Sequence, residues 1–142
     1  MNVNDKIISC KITGSKMIIY NGNDYPLFVD GTGKNDYFPS LYVAIAYETL
    51  IKVVDINEGV ESYIYNGANL MWPGVRDITS LGNFLKDQVV GIRTAKGDIV
   101  AIGALGCSLK ELQSNADNSG VAVYILHYLN DKLWETGPKT KP

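Results

Sequence analysis

Residues 51–136 consist of short runs rich in valine, isoleucine and alanine, each soon cut by glycine, asparagine or aspartate. Ile51 to Val54, Gln88 to Thr94, Ile99 to Leu105 and Val121 to Tyr128 are the strand-like runs, with turn signals at Ala95-Lys96-Gly97-Asp98 and from Asn115 to Gly120. Many short strands at turn-spaced intervals build a small barrel or sandwich rather than a parallel sheet. Asp55 and Glu58 have the spacing of a capping box for a short helix through Tyr65, with Gly67 placed to end it. Asn69 to Val75 reads as a further strand. Ser108 and Glu111 form a second box, opening a helix through Gln113. The strands Ile99 to Leu105 and Val121 to Leu126 are the most apolar and are expected at the centre of the sheet.

Residues 1–50 have a different rhythm. Lys6 to Ile12 and Lys16 to Tyr20 are isoleucine-rich strands joined by the hairpin-type turn Thr13-Gly14-Ser15. Asn21 to Asp24 is a second turn, Tyr25 to Val29 a short strand, and Asp30 to Asp36 a loop by composition. Pro39 and Ser40 then open an amphipathic helix from Leu41 to Leu50, where proline costs nothing because the first helical amides have no intrahelical partner. The division is thus an N-terminal α/β module over about 1–50, a β-rich body over 51–136 and a tail over 137–142.

Composition narrows the function. Hydrophobic residues make up 46% and charged residues 20% of the 142-residue chain, a soluble globular balance with no apolar run long enough to cross a membrane. The N-terminus carries no secretory pattern, and Cys10 and Cys107, in separate apolar runs, read as two buried reduced thiols of a cytoplasmic protein. Thirteen Lys and Arg face fifteen Asp and Glu, so the net charge is −2. Phosphate neutralisation supplies most non-specific nucleic-acid affinity, so this balance argues against strong autonomous binding to long duplexes and leaves room for a local site.

No catalytic set emerges. The single histidine, His127, lies at the end of a strand on the face of Val123 and Ile125, the place of a structural, hydrogen-bonded histidine. Gly103-Ala104-Leu105-Gly106 is too short for a nucleotide loop, and there are too few Cys and His for a zinc site. No catalytic residue, metal or cofactor is expected.

The informative stretch is Gly67-Ala68-Asn69-Leu70-Met71-Trp72-Pro73-Gly74-Val75-Arg76, where glycines, an asparagine and a proline bracket Leu-Met-Trp. Glycine tolerates positive φ and lets another backbone approach, as sites that clasp a phosphodiester chain require. Trp72 either fills a core or offers a stacking surface for a base or terminal ribose. The competing reading is a buried strand with two turn glycines.

This stretch resembles the glycine signature of PUA domains, and Val54 to Val60 is similar to the helix segment that precedes it. Lys86 to Ile92 and Ile99 to Gly103 are similar to the domain's central strands. His127-Tyr128-Leu129-Asn130-Asp131-Lys132-Leu133-Trp134 looks like the ending of one branch, that of the malignant T-cell-amplified and ligatin translation factors, and Tyr37 to Tyr42 matches a segment of their N-terminal module. Trp72, where malignant T-cell-amplified proteins carry Cys, and the ending through Gly137 lean towards ligatin, implying the N-terminal part of a longer factor; the N-terminal module looks short for the family.

The resemblance implies an α+β fold, a PUA-type mixed β pseudo-barrel with two short helices after a small α/β module. It also implies a role at the small ribosomal subunit in non-standard initiation, reinitiation or recycling. Expected partners are RNA (the tRNA acceptor end and small-subunit rRNA) and a density-regulated-protein-like protein or equivalent domains on the same chain. Carried onto this chain, the RNA groove follows Gly67 to Arg76, with Arg93 and Lys132 as further phosphate contacts. Two other readings stand beside it. One is the accessory PUA domain of an RNA-modifying enzyme of the pseudouridine synthase or tRNA-guanine transglycosylase type. The other is a protein-binding ribosomal scaffold with Tyr42, Tyr47 and Trp134 exposed as its interface.

Overall fold

The computed structural model describes residues 7–11, 13–114 and 120–137. Two sheets carry the chain. The first is an antiparallel meander of β1 (Ile7–Lys11), β2 (Ile18–Gly22), β3 (Tyr25–Asp30) and β4 (Tyr37–Pro39), in that order. Helix α1 (Leu41–Ala46) follows directly, with the Ser40 hydroxyl accepting from the Val43 amide as its N-cap. The helix stops at Ala46, short of the expected Leu50, because the Tyr47 amide still donates to Val43 O while its own backbone has left helical geometry. The Asp30 carboxylate organises the β3–β4 loop by accepting from the amides of Gly33, Asn35 and Asp36. That bonding lets Asp30 lie only 2% exposed, since a buried carboxylate is tolerated when hydrogen-bonded.

The second sheet holds β5 (Val53–Ile56), β6 (Leu70–Met71), β7 (Val75–Asp77), β8 (Val89–Arg93), β9 (Ile99–Leu105) and β10 (Val121–Tyr128), in the order β6-β10-β9-β8-β5-β7. Only β5 and β8 run parallel; the remaining pairs are antiparallel. The expected strand from Asn69 to Val75 is broken, because Trp72–Gly74 form a 3₁₀ turn around Pro73 between β6 and β7. Three short helices accompany this sheet: α2 (Glu61–Tyr65), α3 (Leu109–Ser114) and, beyond the two expected, α4 (Lys132–Glu135). Ser108 and Glu111 do form a capping box, the Glu111 amide donating to Ser108 Oγ and the Ser108 amide to Glu111 Oε1.

Asp55 and Glu58 do not. Asp55 is a buried residue of β5, and α2 starts after Val60 without a side-chain cap. The strand runs on to Ile56 because Val54 and Ile56 point into the apolar core. That core gathers Ile64, Leu70, Phe84, Val90, Ile92, Leu105 and Val123 under the second sheet. A second core joins the two sheets: Ile19, Val29, Phe38, Leu41 and Tyr42 meet Val53, Ile99, Ile102 and Trp134. Strand β9 lies between the two cores, which explains a run buried at almost every position instead of one alternating with polar residues.

The cysteines depart from expectation. Cys10 is exposed and Cys107 half-buried, both as free thiols. Cys10 belongs to β1, an edge strand exposed at all five residues because it stands outside both cores. Tyr42 and Trp134, read as an exposed interface, are 1% and 5% exposed; Tyr47 alone of the three is on the surface. They stack with ring centroids 4.2 Å apart at 3°, and the Tyr42 hydroxyl donates to Trp134 O. The ends of the sequence before Ile7 and after Gly137, and most of the loop before β10, lie outside the described residues.

Candidate nucleic-acid interface

Helix α2 ends in a Schellman turn: the Gly67 amide donates to Ile64 O and the Ala68 amide to Tyr63 O. Gly67 sits at φ +84°, where a side chain would be strained and its Cβ would come within 3.4 Å of the Tyr128 hydroxyl. Asn69 then ties the turn to the far strand, its Oδ1 accepting from the Ile125 amide of β10 at 2.9 Å. Leu70 is buried, Met71 is 43% exposed and Trp72 is half-buried against the main core. The Trp72 amide donates to Gly120 O, and Asn57 holds the 3₁₀ turn through Pro73 O and Gly74 O.

The glycines therefore serve the fold first. A Cβ on Gly74 would lie 3.1 Å from Val60 Cγ1 and 3.2 Å from Leu70 Cδ1, so the close approach expected of a phosphodiester is made here by side chains of the domain itself. What the turn offers outward is the exposed surface of Ala68, Met71 and Pro73 beside the accessible part of Trp72. Sealed it is not.

The cationic candidates separate into two places. Arg76 on β7 and Arg93 on β8 converge on Asp55 of the intervening β5. Arg93 grips the carboxylate with a fork, Nε at 2.6 Å and Nη2 at 3.0 Å, and these bonds raise its pKa further. Arg76 Nη2 stands 3.7 Å away. Lys132 is exposed at the first position of α4 and shares no ion pair with them among the described residues. Asp77, next to Arg76, is held below the usual carboxylate range first by the Thr79 amide and hydroxyl and then by the neighbouring arginines.

The His127-to-Trp134 motif proves structural. His127 is fully buried, and its Nδ1 meets Asp131 Oδ2 at 2.7 Å. Asp131 also accepts from the Tyr128 amide and caps α4 by accepting from the Trp134 amide. Burial opposes its charge, but the His127 contact and the two amides hold its pKa below the usual range. A cleft of about 370 Å³ opens nearby between Ile45, Tyr65, Val100, Leu129 and Asn130. Glu48 and Asp98 put negative charge on its lining, and burial followed by Glu61 and Asp98 pushes the Tyr65 hydroxyl pKa up. Among the described residues no cluster of His, Cys, Asp and Glu could hold a metal ion.

A mixed six-stranded sheet, three short helices and a glycine turn leading into a 3₁₀ segment define a PUA-type half-barrel, here joined by a shared core to an N-terminal sheet. Residues 51–132 match the family model described as "elF2D, PUA domain", and the chain belongs to that family. It is 30% identical over 125 residues to the malignant T-cell-amplified sequence 1 homolog of Drosophila melanogaster, covering 79% of this chain and 66% of the relative. It is 35% identical over 104 residues to translation machinery-associated protein 20 of Schizosaccharomyces pombe, covering 69% and 55%. The matched stretch thus spans between half and two-thirds of the length of these two relatives. Among solved structures, a hypothetical protein of Pyrococcus horikoshii is 27% identical with a TM-score of 0.76, over 96% of this chain and 82% of that one. A conserved PUA domain protein of Thermoplasma acidophilum superposes with a TM-score of 0.74 at 21% identity, over 95% and 83%. Both likenesses take in the N-terminal sheet as well as the half-barrel.

Asp55 and Tyr128 were not legible as site residues, and Asn69, read as part of the stretch, was not legible as its tie to β10. Asp55 was absorbed by a capping pattern, and the other two act only once β10 is folded beside the turn.

Proposed function

We propose that this chain is a non-catalytic RNA-binding translation factor of the cytoplasm. It works at the small ribosomal subunit, where it contacts rRNA and the acceptor end of tRNA during non-standard initiation, reinitiation or recycling. A density-regulated-protein-like protein, or equivalent domains in cis, completes it. The observation that carries the reading is the open turn from Gly67 to Arg76: Met71 and part of Trp72 remain accessible although the turn's backbone is bonded into the domain. An aromatic face beside an exposed thioether suits an unpaired terminal base, since stacking on such a face contributes about 1–3 kcal/mol per base. The relative named translation machinery-associated protein 20 supports the setting. The two arginines beside the turn, with Lys132, supply phosphate contacts on a body whose net charge is −2.

The test is an NMR titration of the isotope-labelled chain with tRNA bearing an intact 3′ end. Amide shifts confined to Met71 through Arg76 and their β10 neighbours are expected, and they shrink when the terminal nucleotides are removed. Trp72→Ala should weaken the interaction while leaving a folded domain. Responses scattered over surface lysines, with Met71 to Arg76 silent, would reject this site.

A further inference from the structure

The only two arginines in the chain reach the same carboxylate from strands on either side of it. We propose that Arg76 and Arg93, gathered by Asp55, act as one binding unit for a backbone phosphate of RNA, with Asp55 as the positioning residue; this rests on the RNA reading above and assigns its anionic contact.

Two irregularities of the sheet bring the arginines together. Ile56 pairs with Val75 and Asp55 with Asp77, so Arg76 is the extra residue of a bulge in β7. Ile92 pairs with Ala101 and Arg93 with Ile99, so a second bulge, with Val100 as the extra residue of β9, falls beside Arg93. Bulges re-aim side chains and recur where a sheet carries a site. β7 is also the edge of the sheet, so the side of Arg76 away from β5 is open.

Compensation of a buried charge does not account for both arginines. Asp55 has a side chain 8% exposed and needs a partner, and the Arg93 fork satisfies both of its oxygens. Arg76, at 3.7 Å, is beyond hydrogen-bond distance and adds nothing to that bonding. Among the described residues no hydrogen bond engages the Arg76 guanidinium, and the fork leaves Arg93 Nη1 unengaged. The two side chains are 49% and 42% exposed. Of the other nearby carboxylates, Asp77 is occupied by Thr79, and Glu48 acts on Arg93 through its charge without a hydrogen bond to it. With two arginines against Asp55, Asp77 and the Glu48 carboxylate that also acts on Arg93, the patch has no excess positive charge, so it recognises a phosphate by where its N–H groups point. Orientation, set by Asp55, is then what matters, because a guanidinium binds phosphate through a planar fork that a point charge does not replace.

Fluorescence anisotropy of labelled total tRNA with the whole chain, across about 50–200 mM KCl, tests this. Arg76→Ala and Arg93→Ala should each weaken binding and reduce the steepness of log K against log salt by about 0.7–0.9, one phosphate contact. Arg93→Lys, which keeps the charge and loses the fork, should also bind several-fold more weakly. Asp55→Asn decides the positioning role by sign. Removing a negative charge beside an anion site tightens binding if charge alone acts; loss of orientation weakens it, and weakening is expected. Far-ultraviolet circular dichroism checks that each variant is folded, and should Asp55→Asn not fold, Arg93→Lys decides in its place. Tighter binding by Asp55→Asn, or wild-type binding by Arg93→Lys, would overturn the inference. If wild type binds tRNA and both alanine variants match it in slope, the arginine unit is refuted and the RNA reading stands; if wild type binds no tRNA, both fall.

Discussion

Trp134 is one of the buried side chains of the core that joins the two sheets, and replacing it with alanine should loosen one of them selectively. It is 5% exposed, it stacks face to face on Tyr42 at 4.2 Å, and it belongs to the core shared by Ile19, Val29, Leu41, Ile99 and Ile102. The main-chain bonds at this position, from the Tyr42 hydroxyl to Trp134 O and from the Trp134 amide to Asp131 Oδ1, survive truncation. The loss is therefore side-chain packing, which for Trp to Ala in a core amounts to about 3–5 kcal/mol. Against a total stability of about 5–15 kcal/mol for a domain of this kind, that is a large fraction. It should also be local, because β8 and β9 contribute to the other core as well, whereas α1 and the meander β1–β4 pack only on the shared one. Urea denaturation should show the midpoint shift. Hydrogen exchange followed by mass spectrometry should show amides of Ile18–Gly22, Tyr25–Asp30 and α1 exchanging much faster, with those of β9 changed less. Trp134→Phe should recover most of both effects. A loss below about 1 kcal/mol, which is surface behaviour, or exchange accelerating equally in both sheets, would refute the seam.

Three further outcomes are expected. Asp131 has a depressed pKa in the folded state, so its contribution to stability is present above the ordinary carboxylate pKa and is lost as pH falls through the folded value; urea midpoints measured from neutral pH into the acid range should fall less steeply for Asp131→Asn than for wild type. Gly67→Ala places a side chain at φ +84° and should cost about 1–2 kcal/mol, readable as a lower urea midpoint with an unchanged fold. Maleimide should label the exposed Cys10 well before Cys107, whose thiol is half-buried and pushed up first by burial and then by Glu111; mass spectrometry of partial digests gives the order.

The pieces most legible in the sequence were those decided locally. The Ser108–Glu111 box, the Ser40 cap and the end of α2 at Gly67 follow from bonds made within a few residues, so a short window contains their cause. The central place of Ile99–Leu105 was readable as well, because only buried strands tolerate so much apolar surface; Val121 to Leu126, expected there too, lies second from the edge with Tyr124 and Leu126 exposed. The candidate stretch Gly67–Arg76 was visible as a stretch, though not in its workings. Nothing local tells that Gly74 is filled by Val60 and Leu70, or that Pro73 turns a strand into a 3₁₀ step.

What the sequence by itself determined was the inventory: which runs are strands, where they turn, and that the chain carries too few cationic groups for a broad nucleic-acid field. Tertiary structure alone decided the meetings. Asp55 reads as a helix cap until β7 and β8 flank it with Arg76 and Arg93, 21 and 38 positions later in the chain. Tyr42 and Trp134, 92 positions apart, read as surface aromatics until they stack. Cys10 reads as buried until β1 takes the outer edge. In each case the residue's fate depends on a neighbour supplied by strand pairing at long range, and pairing is set by which faces must be buried together, a property of the folded whole that no single segment carries.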